Sequence, residues 1–323
     1  MKEESLIWVD LAHVDEGPGP DCMSFGFDLD PLILSIRRCG LINNPLVARN
    51  EQGRVDVIAG YRRILALKTL GWGRVQCRDL SALLPSPLER LLFNLHDNLP
   101  TRTFNDVEKG MILGRLASLV PREALLNEHM PLLGLPSHEP LLRVYLQVEG
   151  MEEPVKRALA EGRIPMRTVR ALLDLDLDSV KTLGRWLTDI IFNFNQQSQF
   201  IEYVRDISVR ENREISELMS DEGLAGILRD PKVKGPHKAK HVLERLRQRR
   251  YPRLCRSQEA FQEKVKRLNL PEGVMVRFDP YFEDPHYHLD ISFREGKALR
   301  EKIVRLSQLE GLGKLGDPWP EDS

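Results

Sequence analysis

Val57-Ile-Ala-Gly-Tyr-Arg-Arg63 is the stretch on which the reading of this chain turns. Val55–Ala59 (VDVIA) is a strand by composition, Gly60 ends it, and a helix starts at once with two arginines in its first turn. The first amides of a helix have no acceptor inside it and carry the positive end of the helix dipole, so they favour an anion. Gly60 lets that anion approach the backbone, and Arg62 and Arg63 supply forked donors that match phosphate. A polyphosphate cradle is one reading. A solvated helix start whose arginines pair with nearby acids is the other, and the segment alone does not separate them.

The flanks build a small α+β domain around this stretch. Leu6–Leu11 opens as a strand, and Leu29, Leu32, Ile33 and Ile36 recur with helical period between Asp28 and Cys39. Asp28 or Asp30 caps that helix, Pro31 sits in its first turn and Gly40 stops it. Pro45–Arg49 and Val55–Ala59 are strands joined by a turn at Asn50–Gly53. The helix from Tyr61 stops at Gly71, and Val75–Arg78 adds a strand. Beyond Arg90 helical signals take over. Asn105 with Glu108 three residues on is a capping box, followed by the apolar stripe Val107, Met111, Ile112, Leu116 and Leu119. Shorter helices, broken by Pro131, Pro136, Pro140 and Pro154, run to about Asp178.

Leu183, Trp186, Leu187, Ile190, Ile191 and Phe194 continue a helical period, with Trp186 and Phe194 read as core, and residues 199–228 follow as helix. Residues 232–256 then hold ten Lys or Arg against one acid, Glu244. Val274–Phe278 and His286–Phe293 alternate as strands, and Gly296–Leu309 is helical, a small β-β-α unit. The expected parts are 1–104, 105–178, 179–256 and 257–323.

Composition bounds the function. With 323 residues, 41% of them hydrophobic, and a net charge of −1, the chain supports two or three packed domains and is no uniformly basic nucleic-acid coat. No apolar run reaches membrane-spanning length, and Met1–Ser5 does not start a signal peptide, so a cytoplasmic protein with no membrane partner is expected. The four cysteines are widely spaced, without a metal or redox motif, and Cys39 and Cys77 read as buried small hydrophobes. His286 and His288 fall on one strand face without a third ligand and read as ordinary strand residues.

Three elements in order carry a resemblance. Ile36-Arg-Arg-Cys-Gly-Leu-Ile-Asn-Asn-Pro-Leu-Val-Ala-Arg49, Gly60-Tyr-Arg-Arg-Ile-Leu-Ala66 and Asp97-Asn-Leu-Pro-Thr-Arg-Thr-Phe-Asn-Asp-Val-Glu108 resemble the ParB family of partition proteins, with its GLLQPIVVR, GERRxRA and ENLQRxDLxxxE motifs. The likeness extends more weakly to about residue 175. It implies a ParB/sulfiredoxin-like N-terminal α+β domain, an all-helical middle with a helix-turn-helix, and a small C-terminal β-β-α domain that dimerises. It also implies a DNA clamp that binds CTP with Mg²⁺ and in many members hydrolyses it slowly. By motif position, Gly60, Tyr61, Arg62, Arg63 and Arg102 would hold the nucleotide, and Asp97 and Asn98 the metal. The chain departs from the pattern at Tyr61 (Glu in the family), Thr101 (Arg) and Asp97 (Glu), which bears on hydrolysis more than on binding. The sulfiredoxin turn carries a cysteine that is absent here, so redox chemistry is not expected.

DNA is the implied partner, beside a second copy of the chain and a partition ATPase, in a nucleoid-associated setting. Met130–Leu146 has the outline of a helix-turn-helix with its turn at Gly134 and second helix from Pro140. Its readout candidates are Ser137, His138 and Arg143, a sparse set for a recognition helix. Lys238, Lys240, Arg247, Arg249 and Arg250 are candidates for phosphate contacts without base reading. The alternatives are a DNA-binding scaffold or transcriptional regulator without nucleotide chemistry, and an enzyme acting on another phosphorylated small molecule.

Overall fold

The computed structural model describes residues 5–15, 17–50, 53–231, 233, 235–281, 284 and 286–316. The chain divides into two compact units, Met1–Ser198 and Gln199–Ser323.

In the first unit, β1 (Ser5–Asp10), β2 (Leu46–Arg49), β3 (Val55–Ala59) and β4 (Arg74–Asp79) form one sheet in the order β1-β4-β2-β3. β1–β4 and β2–β3 are antiparallel, and β2–β4 is parallel. Alternation along the strands splits their side chains between two cores. Val9, Val47, Val57, Val75 and Cys77 pack with Ile36 of α1 (Asp30–Cys39) and Ile64 and Leu67 of α2 (Tyr61–Thr69). Leu46, Ala48, Ile58 and Leu80 form the other core, and α3 (Pro87–Asn98) lies against β3. The α1 start differs in detail from expectation: Leu29 is its cap residue and makes no side-chain cap, while Asp28 accepts from the Asp30 amide at 3.0 Å.

Both α3 and α4 (Asp106–Ala117) begin with capping boxes, Ser86/Glu89 and Asn105/Glu108. Leu91 and Leu95 of α3 and Ile112, Leu113 and Leu116 of α4 share a third core with Leu125, Met130, Leu142 and Tyr145. Residues 122–132 are one helical run of three pieces: α5 (Arg122–Ala124), a wide π turn (Leu125–His129) and α6 (Met130–Leu132). The Met130 amide reaches back five residues to the Leu125 carbonyl. Gly134, at φ +72°, makes the turn to α7 (Glu139–Val148). Then come α8 (Glu153–Ala160), α9 (Met166–Leu173) and α10 (Leu177–Asp189). Pro140 and Pro154 each stand in the first turn of a helix, where the missing N–H costs nothing, while Pro131 follows the π turn inside the run.

The period through Phe194 spans a break. α10 ends at Asp189, Ile191 is exposed, and Phe194 opens α11 (Phe194–Glu211) with half its surface in solvent, so only Trp186 of the expected pair is core. The division between the units falls inside α11. The helix expected over 199–228 is three pieces, because Asn212 takes φ +49° before α12 (Ile215–Met219) and α13 (Glu222–Arg229). The basic stretch forms α14 (Gly235–Arg250) and the start of α15 (Pro252–Arg267). Boundaries expected at 178/179 and 256/257 fall inside α10 and α15. β5 (Val274–Arg277) and β6 (His288–Ile291) pair antiparallel, and α16 (Gly296–Ser307) follows. Cys77 is buried and its thiol is pushed up to about 12 by that burial; Cys39, against expectation, is exposed.

Candidate functional site

The β3–α2 junction is built as the sequence dictates. Gly60 takes φ +95°, a conformation that costs an L side chain about 1–2 kcal/mol, and a Cβ there would stand 3.2 Å from Pro45 Cα. The Arg63 and Ile64 amides donate to the Gly60 carbonyl, which starts α2 directly after the strand. A cleft of about 340 Å³ opens over this helix start, lined by Gly60, Tyr61, Arg62, Arg63, Asp97, Asn98 and Arg102 together with Met23, Ser24 and Asn94. All seven residues expected to hold nucleotide or metal therefore meet in one place, at a size within the range of small-molecule sites.

Arg102 sits in the short segment between α3 and α4 and ties it down on three sides. It donates to Asn98 Oδ1 at 2.9 Å, to the Met23 carbonyl at 2.9 Å and to Glu108 Oε1 at 2.6 Å. Arg62 donates to Ser24 Oγ at 3.2 Å and to the same Glu108 oxygen at 3.1 Å. Both guanidiniums also lie over aromatic rings, Arg62 on Phe27 and Arg102 on Phe104. Burial holds the Arg62 pKa below its ordinary value, the Arg102 charge adds to that, and Glu108 opposes both. Arg63 lines the cleft as well, while its Nη1 donates to the Asn43 and Asn44 carbonyls at 3.3 Å. Asn98 is fixed from below by Asn94, to which its Nδ2 donates at 2.7 Å, and Asp97 is exposed.

For the metal, the donors present are the Asp97 carboxylate and the Asn98 amide oxygen, one lone pair of which Arg102 already uses. Two hard oxygen ligands fit Mg²⁺ that arrives on a polyphosphate, since substrate phosphates and water fill its other positions. Among the described residues no cluster of three or more His, Cys, Asp or Glu stands ready to hold a metal without such a ligand. His286 is instead hydrogen-bonded to Asp284 at 2.6 Å.

The residue that sequence reasoning passed over is Glu108. Its capping role was legible, but its reach to Arg62, 46 positions earlier, was not. The signal available was its place as the last letter of the third motif element.

Ser137 and His138 lie in the turn before α7, with His138 at its cap position, and Arg143 is one turn into the helix. Arg143 pairs with Glu139 at 3.2 Å, and Glu139 also takes Arg122 at 2.5 Å. In the second unit the cations expected to track phosphates are largely engaged. Arg249 is held by Glu211 and Asp221, and Arg250 by Glu202 and Asp206 over the rings of Tyr203 and Tyr251. Hydrogen bonding to Glu211 raises the Arg249 pKa above its ordinary value. Arg247 donates to Gln258 at 2.7 Å and Lys238 to the Leu228 carbonyl at 2.5 Å, while Lys240 is exposed. Within the charge run it is thus Arg249 and Arg250 that acids distant in sequence take up, folding against them inside the same unit.

No protein-family model matches the chain. The nucleoid occlusion protein of Halalkalibacterium halodurans is 27% identical over 183 residues, 55% of this chain and 60% of that protein. The nucleoid occlusion protein of Bacillus cytotoxicus is 29% identical over 151 residues, 46% of this chain and 48% of that protein. These matches join three motif elements already found in order. The chain is ParB-like. Among solved structures, the C-terminally truncated chromosome-partitioning protein ParB from Caulobacter crescentus, complexed with CTP-gamma-S, covers 57% of this ParB-like chain and 98% of its own, at 17% identity and a TM-score of 0.27. At that score the superposition carries no argument. The ParB-like chain spans about half to three-fifths of the length of the curated relatives it matches. Among its described residues no helix is long and apolar enough to cross a membrane. Of its departures from the ParB motifs, the one at Thr101 has a local answer. Thr101 turns back to cap the end of α3 through the Asn98 carbonyl at 3.0 Å, and the neighbouring Arg102 brings its guanidinium to the cleft.

Proposed function

We propose that this chain is a nucleotide-responsive DNA-binding protein of DNA segregation, in which CTP with Mg²⁺ binds the cleft at the start of α2. The observation that carries this reading is the convergence of Gly60, Arg62, Arg63, Asp97, Asn98 and Arg102 on one cleft. Arg62, Arg102 and the α2 amides would neutralise phosphate charge, and Asp97 with Asn98 would orient the Mg²⁺ that shields it. Bound nucleotide favours whichever conformation of the α3–α4 region binds it better, and so acts as a two-state switch on DNA binding. The turn and first turn of α7, with Ser137, His138 and Arg143, and the exposed Lys240 on α14 are the proposed DNA contacts. Met275, Leu289, Phe293, Ile303 and Val304, exposed on the hairpin and α16, are the proposed faces for a second copy of the chain.

Isothermal titration with CTP, ATP, GTP and UTP in Mg²⁺ tests the reading, with Arg62→Ala as control. Saturable CTP binding that falls at least about tenfold in the control is expected. No binding of any nucleotide by the folded protein overturns it. That outcome favours the second reading, a DNA-binding scaffold or regulator without nucleotide chemistry. Its support is Tyr61 at the position of the motif's glutamate, where an acid beside the phosphate site is missing. Nucleotide-independent DNA binding in the same preparation then distinguishes it.

A further inference from the structure

The Glu108 carboxylate is 2% exposed and surrounded by donors. Its Oε1 accepts from Arg102 at 2.6 Å, from Arg62 at 3.1 Å and from the Phe25 amide at 3.2 Å, and its Oε2 accepts from the Asn105 amide at 3.1 Å. Two guanidiniums and two backbone amides around one buried anion are the donors that a phosphate group takes. The two guanidiniums belong to residues that line the cleft. Glu108 is also the third residue of α4, so the same carboxylate that fills the arginines closes the capping box of that helix.

We propose that Glu108 is a built-in anion that occupies the cleft's arginines until a phosphate displaces it, and that its release frees the first turn of α4 and the Phe25 loop. This rests on the nucleotide reading above. The exclusion follows from charge: a phosphate brought onto Arg62 and Arg102 would lie beside a buried carboxylate, and like charges at that distance destabilise one another. The consequence reaches two segments at once. Phe25 and Asn105 are joined by a second bond, Asn105 Nδ2 to the Phe25 carbonyl at 3.0 Å, so loop and helix start form one unit that Glu108 locks to the arginines. A ligand in the cleft then pulls on α4 without touching it.

Glu108→Gln separates the two roles. Glutamine serves a capping box at this position as well as glutamate does, but it carries no charge to hold the arginines. Titration with CTP and Mg²⁺ is expected to show affinity about fivefold or more above that of the unaltered protein. Amide hydrogen exchange on the unaltered protein supplies a measurement that needs no variant: saturation with CTP should speed exchange at Phe25 and Asn105, which lose their acceptor. Equal or weaker binding by the variant, or unchanged exchange at both amides, overturns the latch and leaves the nucleotide site standing. Binding by the variant alone supports the latch and the site together. No binding by either protein removes both.

Discussion

Asp21 is a carboxyl held where water does not reach it. It is buried at 3% exposure, and its Oδ2 has no hydrogen-bond partner among the described residues. Burial raises its pKa to about 6, against the charges of Arg90 and Arg115 and with some help from Asp56. A folded pKa above the unfolded one means that the folded state binds the extra proton. The resulting stabilisation is complete below about pH 4 and is lost as pH rises through 6. Asp21→Asn cannot titrate, so its stability relative to the unaltered protein should climb by about 2 kcal/mol between pH 4 and pH 7. Urea denaturation at the two pH values measures this, and a difference that stays constant would show that Asp21 keeps its charge. The effect matters locally, since the Asp21 carbonyl accepts from Asn94, which in turn holds Asn98 in the cleft.

At the scale of elements, the crossing of α4 and α7 is set by the absence of a side chain. A Cβ on Gly110 would lie 2.9 Å from the Tyr145 carbonyl and 3.2 Å from Val148 Cβ. The Tyr145 hydroxyl donates to Asp106 at 2.6 Å and fixes the same pair of helices one turn earlier on α4. Gly110→Ala should therefore destabilise by about 1–3 kcal/mol, although alanine is the better helix former. Gly114→Ala, one turn on, meets only the mobile end of Glu149 and should be neutral or slightly stabilising; equal effects of the two in thermal melts would contradict this account. Elements of this kind were largely legible in the sequence where the signal is local. The Asn105/Glu108 box, the stop at Gly71 and the hairpin turn at Gly53 all follow from residues within four positions of one another. The breaks after Asp189 and at Asn212 were not legible, because apolar spacing ran straight through the first and nothing but a positive φ marks the second. The Ser86/Glu89 box, with proline between, is of the same local kind and is carried by the letters Ser-Pro-Leu-Glu.

Across the whole molecule, charge shows why a sequence run and a surface differ. The basic stretch reads as a continuous phosphate track, yet two of its cations, Arg249 and Arg250, are taken by Glu202, Asp206, Glu211 and Asp221 from 28 to 48 positions away. Contacts of that span are invisible to any reading of neighbours, as was the pairing of Glu108 with Arg62. Arg249→Ala would remove the cation that Glu211 and Asp221 share, leaving Glu211 with Arg210 and Asp221 with Arg213, and should lower stability by about 1 kcal/mol. Guanidinium denaturation beside DNA binding at low salt separates the two roles. Loss of DNA affinity with unchanged stability would return Arg249 to the phosphate contacts.

The π turn at Leu125–His129 has its own consequence. By reaching back five residues it takes up one more residue per turn than a regular helix, and so shifts the angular phase of everything after it by roughly 100°. Met130 and Leu133, which follow the turn, are buried in the shared core in that shifted phase. A chain one residue shorter here would wind a more regular helix and present the wrong side of it. The face that α6 offers, and with it the direction in which the chain leaves Gly134 for α7, is set by the one extra residue that this turn holds.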